Sequence, residues 1–172
     1  MTEPSAAFSR VALPHLDAAF RLALWLMRDR TAAEDVVQEA FVRALTYFAS
    51  FRGENPRAWL LQIVRTTAMT RLARPAGRCE PLDAAPGGRH AHLADTADDP
   101  EAAVLAAERE TTLTRAVAAL PAELRVCLLL REIEEMSYRD IARITEVPVG
   151  TVMSRLFRAR QALIGVAREE TP

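Results

Sequence analysis

The sequence predicts an all-α protein made of two small helical domains joined by a flexible linker. Three observations carry that prediction. Ala, Leu, Arg and Glu dominate, only 6% of residues are aromatic, and long Val/Ile/Thr runs are absent, a composition that favours helix over strand. Apolar residues recur at helical spacing in both halves of the chain. Between the halves lies "PAGRCEPLDAAPGGRHAHLADTADDP", rich in Pro, Gly, Ala and Asp and without a sustained period. A structureless stretch of that length is out of place inside one compact domain and suits a connection between two. The expected boundaries are 10–75, a linker over 76–105, and 106–168. At 172 residues and 50% hydrophobic content, the chain is long enough to bury a small core in each part.

The first part contains three helical patterns. "LDAAFRLALWLMRD" sets Leu16, Phe20, Ala23, Leu24 and Met27 on one side. "TAAEDVVQEAFVRALTYF" opens with Thr31 and, three residues on, Glu34, the spacing of a capping box; Val36, Val37, Ala40, Phe41 and Leu45 form its apolar side. "NPRAWLLQIVRTTAMTRLAR" opens with Asn55 as N-cap and Pro56 as first helical residue, with Trp59, Ile63 and Val64 inward. The short connections predict packed antiparallel helices.

After the linker, "EAAVLAAERETTLTRAVAAL" reads as helix. Pro121 then opens "PAELRVCLLLREIE", with Leu124, Cys127 and Leu128 on one side. "SYRDIARIT" carries its own capping box, Ser137 to Asp140. "VPVGTVMSRLFRARQAL" follows.

Charge distribution says more than the net of −1. All 22 basic residues are arginine. Residues 1–74 carry ten Arg against seven acids, 75–105 two against six, and 106–172 ten of each. Within the last part, Val147 to Arg168 holds four Arg and no acid. Cys79 and Cys127 are far apart and define no disulfide framework, which suits a reducing cytosol. Neither a secretory leader nor a membrane-length apolar run is present, so a cytoplasmic protein without membrane insertion is expected, with no appended sensor domain. Cys79, His90 and His92 share the linker, but a flexible acidic loop is no fixed ligand geometry, so neither a metal nor a cofactor is expected. His15 is expected at the surface or between helices, and Cys127 as a small buried residue. No Walker loop, GxSxG or HExxH occurs, and no enzyme activity is expected.

The segments Ser137–Thr145 and Val149–Leu163, separated by Glu146-Val147-Pro148, have the outline of a helix-turn-helix over 137–160. Val152, Leu156, Ala159 and Leu163 form a buried stripe at i, i+4, i+7 and i+11. Thr151, Ser154, Arg155 and Arg158 fall on the other side, hydroxyls and guanidinia suited to a DNA major groove. Gly150 and Thr151 lie where backbone N–H groups are free to meet a phosphate.

The stretch "ALPAELRVCLLLREIEEMSYRDIARITEVPVGTVMSRLFRARQAL" closely resembles domain 4 of the extracytoplasmic function (ECF) class of sigma factors, promoter-recognition subunits of bacterial RNA polymerase. "AEDVVQEAFVRA" and "FRGENPRAWLLQIVR" resemble domain 2 of the same family. Both motif sets stand in the family's order. The resemblance implies −35 element recognition by Pro148, Gly150, Thr151, Ser154, Arg155 and Arg158. At Met153 many relatives carry a basic residue, which implies an absent or apolar contact here.

In "AEDVVQEAF" the residues alone describe a helix with an acidic ridge, Glu34 and Asp35 favouring the helix N-terminus. The resemblance implies docking on the clamp of core polymerase through Asp35, Gln38 and Glu39. It also implies −10 element binding and capture of a flipped base by Phe51, Arg52, Arg65, Thr66, Arg71 and Arg74. Thr66 replaces the family's usual Asn and Thr70 its usual Asp, leaving one hydroxyl where an amide offers donor and acceptor. The expected partners are core RNA polymerase at its clamp and flap, promoter DNA and an anti-sigma factor. Two alternatives stand beside that function: a stand-alone helix-turn-helix regulator, and a sigma-like decoy that titrates an anti-sigma factor.

Overall fold

A computed structural model describes residues 3–73 and 112–169, with side chains over 6–73 and 112–166. The described residues form helices and no strand. In chain order these are α1 (Glu3–Ala12), a 3-10 turn (Leu13–His15), α2 (Leu16–Met27), α3 (Arg30–Tyr47), a second 3-10 turn (Phe48–Ser50) and α4 (Pro56–Leu72), then α5 (112–119), α6 (Ala122–Glu132), α7 (Tyr138–Thr145) and α8 (Val149–Glu169). The linker with Cys79, His90 and His92, most of the helix expected over 101–120, and Arg74 lie outside the described residues.

Helices α1–α4 form the first bundle. Its contacts are built on small residues: Ala18, Ala19, Ala23, Ala33, Ala40, Ala44, Ala58 and Ala68 are all buried beside Leu22, Leu26, Val36, Leu60, Leu61 and Val64. Small side chains let helix backbones approach closely, so the inward faces are rotated from those the large apolar residues predicted. Leu16 and Leu45 turn to solvent, and Trp59 and Ile63 are half-buried. Helix α1, which the sequence reading did not anticipate, is fastened by Phe8, whose ring meets Phe48 edge-on at 5.5 Å and Phe41 at 6.2 Å.

The corner between α2 and α3 is tight. Arg28 ends α2 in the left-handed region, at φ 59°, and donates its N–H to the Leu24 carbonyl at 2.9 Å. Asp29 then caps α3, its Oδ1 accepting from the Ala32 N–H at 2.7 Å. The expected Thr31–Glu34 capping box does not form. Asp29 is as good a cap two residues earlier, and Glu34 pairs instead with Arg30 at 3.0 Å. Asn55 caps α4 as expected, accepting from the Ala58 N–H at 3.0 Å.

In the second bundle α6 is the axis. Every residue from Leu124 to Leu130 is buried, including Arg125 at 8% exposure. One side of α6 packs on α7 and α8, and the other on α2 of the first bundle. Ser137 caps α7 as expected, accepting from the Asp140 N–H at 3.1 Å. Glu146 takes the left-handed C-cap at φ 56°, and Pro148 opens α8. Val152, Leu156 and Ala159 are buried, as the stripe requires, while Leu163, its fourth expected member, is only half-buried. A second inter-bundle contact runs between α4 and α7.

Alanine at Asp29 should cost about 1 kcal/mol of unfolding free energy in urea, the usual loss for an N-cap. Thr31→Ala should cost only a few tenths; equal losses would return the cap to Thr31.

Candidate nucleic-acid interface

The turn between α7 and α8 leaves the first turn of α8 at the surface. Pro148, Gly150, Met153, Ser154, Phe157 and Arg158 are exposed, and Thr151 is half-buried. Arg158 has no partner among the described residues. The Ser154 hydroxyl donates to the Thr151 carbonyl at 3.0 Å. The Thr151 N–H already donates to the Pro148 carbonyl at 2.9 Å, so of the two amides expected to be free, Gly150 alone remains open. Arg155 lies inward: its Nη1 is 2.8 Å from Glu123 on α6, and its guanidinium neighbours the Cys127 thiol. Burial pushes that thiol above its ordinary pKa, against the opposing pull of Arg155. Arg160 is paired with Glu132 at 2.7 Å.

Two residues of this face belong to no charge pattern. Met153 is 54% and Phe157 64% exposed, four residues apart on one side of α8. Their spacing was visible in the sequence. Their exposure was not, because Leu156 and Val152 beside them are equally apolar and wholly buried.

On α3, Asp35, Gln38 and Glu39 are exposed, as the acidic ridge requires. Asp35 accepts from Arg71 on α4 at 2.8 Å, and Glu39 from Arg43 one turn on. Gln38 makes no side-chain hydrogen bond among the described residues. The same face continues through Val42, 66% exposed, and Leu45, 48% exposed. The ridge is therefore acidic at one end and apolar at the other. Leu45, expected in the core, belongs to this outer face because Ala44 takes the buried position beside it.

The remaining expected residues do not converge on one site. Phe51 does not project; its ring lies 4.7 Å from Trp59 and 6.2 Å from Phe48. Arg52 is exposed and has no partner among the described residues. Arg65 is largely covered, 3.4 Å from Glu123 and 4.0 Å from Glu146. The Thr66 hydroxyl donates to the Gln62 carbonyl, and that of Thr70 to the Thr66 carbonyl, both at 2.8 Å. Thr66 opens into a cleft of about 410 Å³ shared with Arg43, Tyr47, Ser50, Trp59 and Gln62. Tyr47, exposed at its rim, was not singled out from sequence; an aromatic residue at a helix end carries no local signal of its exposure.

Among the described residues, no group of three His, Cys, Asp or Glu side chains could hold a metal ion. No described helix is long and apolar enough to cross a membrane.

A half-exposed recognition helix behind a tight turn, on a bundle joined to a second bundle with an aromatic cleft, defines a DNA-binding protein of the helix-turn-helix kind. The relationships of the chain are narrower. Residues 12–78 match the Sigma-70 region 2 family model, and residues 111–163 match Sigma-70, region 4. The chain is 36% identical over 162 residues to the RNA polymerase sigma-H factor of Pseudomonas aeruginosa, covering 91% of this chain and 84% of that protein. It is 40% identical over 141 residues to the ECF RNA polymerase sigma-E factor of Haemophilus influenzae, covering 78% of this chain and 74% of that one. The solved sigma factor RpoE of Bartonella quintana, in complex with the anti-sigma factor NepR, shares the fold at a TM-score of 0.72 and 24% identity, over 95% of this chain and 98% of that one. The chain belongs to the sigma-70 family of RNA polymerase sigma factors, in its extracytoplasmic function class.

In a Cys79→Ser background, Cys127 should resist an aromatic disulfide reagent under native conditions and react only as the chain unfolds in urea. Rapid native labelling would mean that α6 is not buried as described.

Proposed function

We propose that this sigma factor divides promoter-directed initiation among three of its surfaces. The α3 face of Asp35, Gln38 and Glu39 docks on the core polymerase clamp. Val42 and Leu45 extend it with the apolar contact that a largely polar ridge lacks. Helix α8 enters the major groove at the −35 element. The cleft bordered by Thr66 and Tyr47 takes an unpaired base of the −10 element, with Arg52 at the strand backbone. Polymerase performs the chemistry; this chain positions it, in the cytoplasm where polymerase works. An anti-sigma factor, which RpoE of Bartonella quintana binds, is the expected antagonist here too.

The observation that carries the reading is that Gln38 on α3 and Arg158 on α8 are both exposed and have no side-chain partner among the described residues. Uncommitted polar groups lose little when a partner takes them up, whereas paired ones must first exchange partners.

The residues also bear on specificity. Arg158 suits a bidentate grip on guanine or phosphate. Met153 and Phe157 offer apolar surface, and the apolar feature of the major groove is the thymine methyl. Because the Thr66 hydroxyl donates inward, it presents lone pairs outward and suits a base amine, as on adenine or cytosine. The same threonines favour one second reading, the decoy that titrates an anti-sigma factor, since Thr66 and Thr70 spend their hydroxyl protons on their own helix.

Transcription by core polymerase with this protein on a pooled genomic promoter library should yield protein-dependent transcripts, lost with Gln38→Ala and with Arg158→Ala. Core binding without any transcript would install the decoy reading; duplex binding without core binding would install the stand-alone regulator. On a recovered promoter, Arg158→Ala should weaken −35 binding by roughly 1–3 kcal/mol. Replacing the contacted thymines by uracil should weaken wild type several-fold and the Met153→Ala/Phe157→Ala variant hardly at all; equal losses in both would remove the methyl contact.

A further inference from the structure

Two kinds of group stand side by side on the exposed face of α8. Met153 and Phe157 are 54% and 64% exposed, and at a spacing of four residues they lie over one another on adjoining turns. Ser154 and Arg158, the next residue after each, repeat the spacing with polar groups, and both are exposed. Arg158 has no partner among the described residues, whereas Arg155 is held by Glu123 and Arg160 by Glu132. The face thus offers an apolar pair with a free guanidinium beside it.

The surroundings say what covers this face. The segment from Val147 to Arg168 holds four Arg and no acid. A cationic rim of that kind selects a polyanion over a basic or apolar protein surface. The scale is small. Four residues of helix rise about 6 Å, and stacked base pairs lie about 3.4 Å apart. Met153, Phe157 and Arg158 together therefore address one base pair or two neighbours.

The major-groove edges can be compared with that demand. A T·A pair presents the thymine methyl, but its adenine sets an N6 amine beside N7, and a guanidinium has only donors to offer. A C·G pair presents the O6 and N7 acceptors that suit a bidentate arginine, but its cytosine has no methyl. A C·G pair methylated at cytosine C5 presents both features at once. Its methyl sits on the same ring carbon as that of thymine and faces the same groove.

We infer that α8 reads cytosine methylation: a 5-methylcytosine·guanine pair in the −35 element binds more tightly than the unmethylated pair, its methyl against Met153 and Phe157 and its guanine edge at Arg158. The inference rests on the −35 reading above and adds a modified base to it. The two side chains suit the task in different ways. Phe157 supplies a flat, rigid surface, and the unbranched thioether of Met153 adapts its shape to what lies against it. Burying one methyl group between them is worth about a three- to fourfold gain in affinity.

The test uses holoenzyme assembled from core polymerase and the full chain, as wild type, Met153→Ala/Phe157→Ala and Arg158→Ala. On a promoter recovered in the transcription assay, each thymine or cytosine of the −35 element, in either strand, is replaced in turn by cytosine and by 5-methylcytosine, always opposite guanine. The two duplexes of a pair differ by a single methyl group, and their affinities are compared by fluorescence anisotropy. All three replaced side chains are exposed, so the circular dichroism melts of the variants should match wild type. At one or two positions wild type should bind the methylated duplex about three- to fourfold more tightly. At those positions Met153→Ala/Phe157→Ala should bind the two equally, and Arg158→Ala should bind both more weakly but keep the ratio. A ratio of one at every position in wild type overturns the inference. So does a ratio that persists in Met153→Ala/Phe157→Ala, because the methyl would then act through the shape of the DNA. Exchange of thymine for uracil separates this inference from the reading beneath it. Weakening by uracil with no gain from 5-methylcytosine keeps the thymine contact and removes methylation reading, whereas no effect of either removes every methyl contact of α8. If wild type supports transcription from no promoter, the −35 reading falls and the inference falls with it.

Discussion

Helix α6 is buried on every side from Leu124 to Leu130, and the rest of the molecule is arranged by that constraint. An amphipathic helix needs one partner; a helix with seven consecutive buried residues needs two. The first is the α7–α8 pair, whose Ile141, Ile144, Val152, Leu156 and Ala159 complete the core that holds the recognition helix. The second is α2 of the other bundle. The cost of that double burial falls on Arg125, whose two Nη atoms donate to the backbone carbonyls of Leu120 and Trp25 while its buried Nε has no partner among the described residues. Helix α6 thus serves both cores, touching α8 on one side and α2 on the other.

The same helix connects the working faces. Glu123, in its first turn, faces Arg65 and Arg155; Glu132, in its last, holds Arg160. Of the three α8 arginines with described side chains, two are thus tied to α6 and only Arg158 stands free. This division is useful for recognition. Tied arginines fix how α8 sits on its bundle, and an untied one at the exposed face can reorient towards a base or a phosphate. The exposed Met153 and Phe157 fill the rest of that face with apolar surface, so it is less charged than the arginine content of the helix suggests.

In the first bundle, small residues have a comparable role. Alanines at the helix contacts bring α2, α3 and α4 close together, and that places the larger side chains at the periphery. Phe48, Phe51 and Trp59 collect into an aromatic cluster beside the cleft, and Val42 and Leu45 are left on the exposed ridge of α3. The exposed α3 ridge and the aromatic cleft are therefore by-products of a core built from the smallest side chain that can be buried.

The sequence by itself determined the helical class, the caps at Asn55 and Ser137, the turn at Glu146–Pro148 and, in the buried stripe of α8, Val152, Leu156 and Ala159. These are local: a side chain meeting an amide three residues away, or a period of 3.6, needs no distant partner. The family was legible for the same reason, since its motifs are contiguous. Tertiary structure alone decided which apolar residues stay outside, for Leu45, Met153 and Phe157 have the same chemistry as buried neighbours and differ only in what lies opposite. It also decided which charges are free. Arg155 and Arg158 are three residues apart and alike in sequence, yet one meets Glu123 and the other meets water. Pairing between bundles depends on geometry across a long separation, as with Arg21 and Glu134, and no local period encodes it.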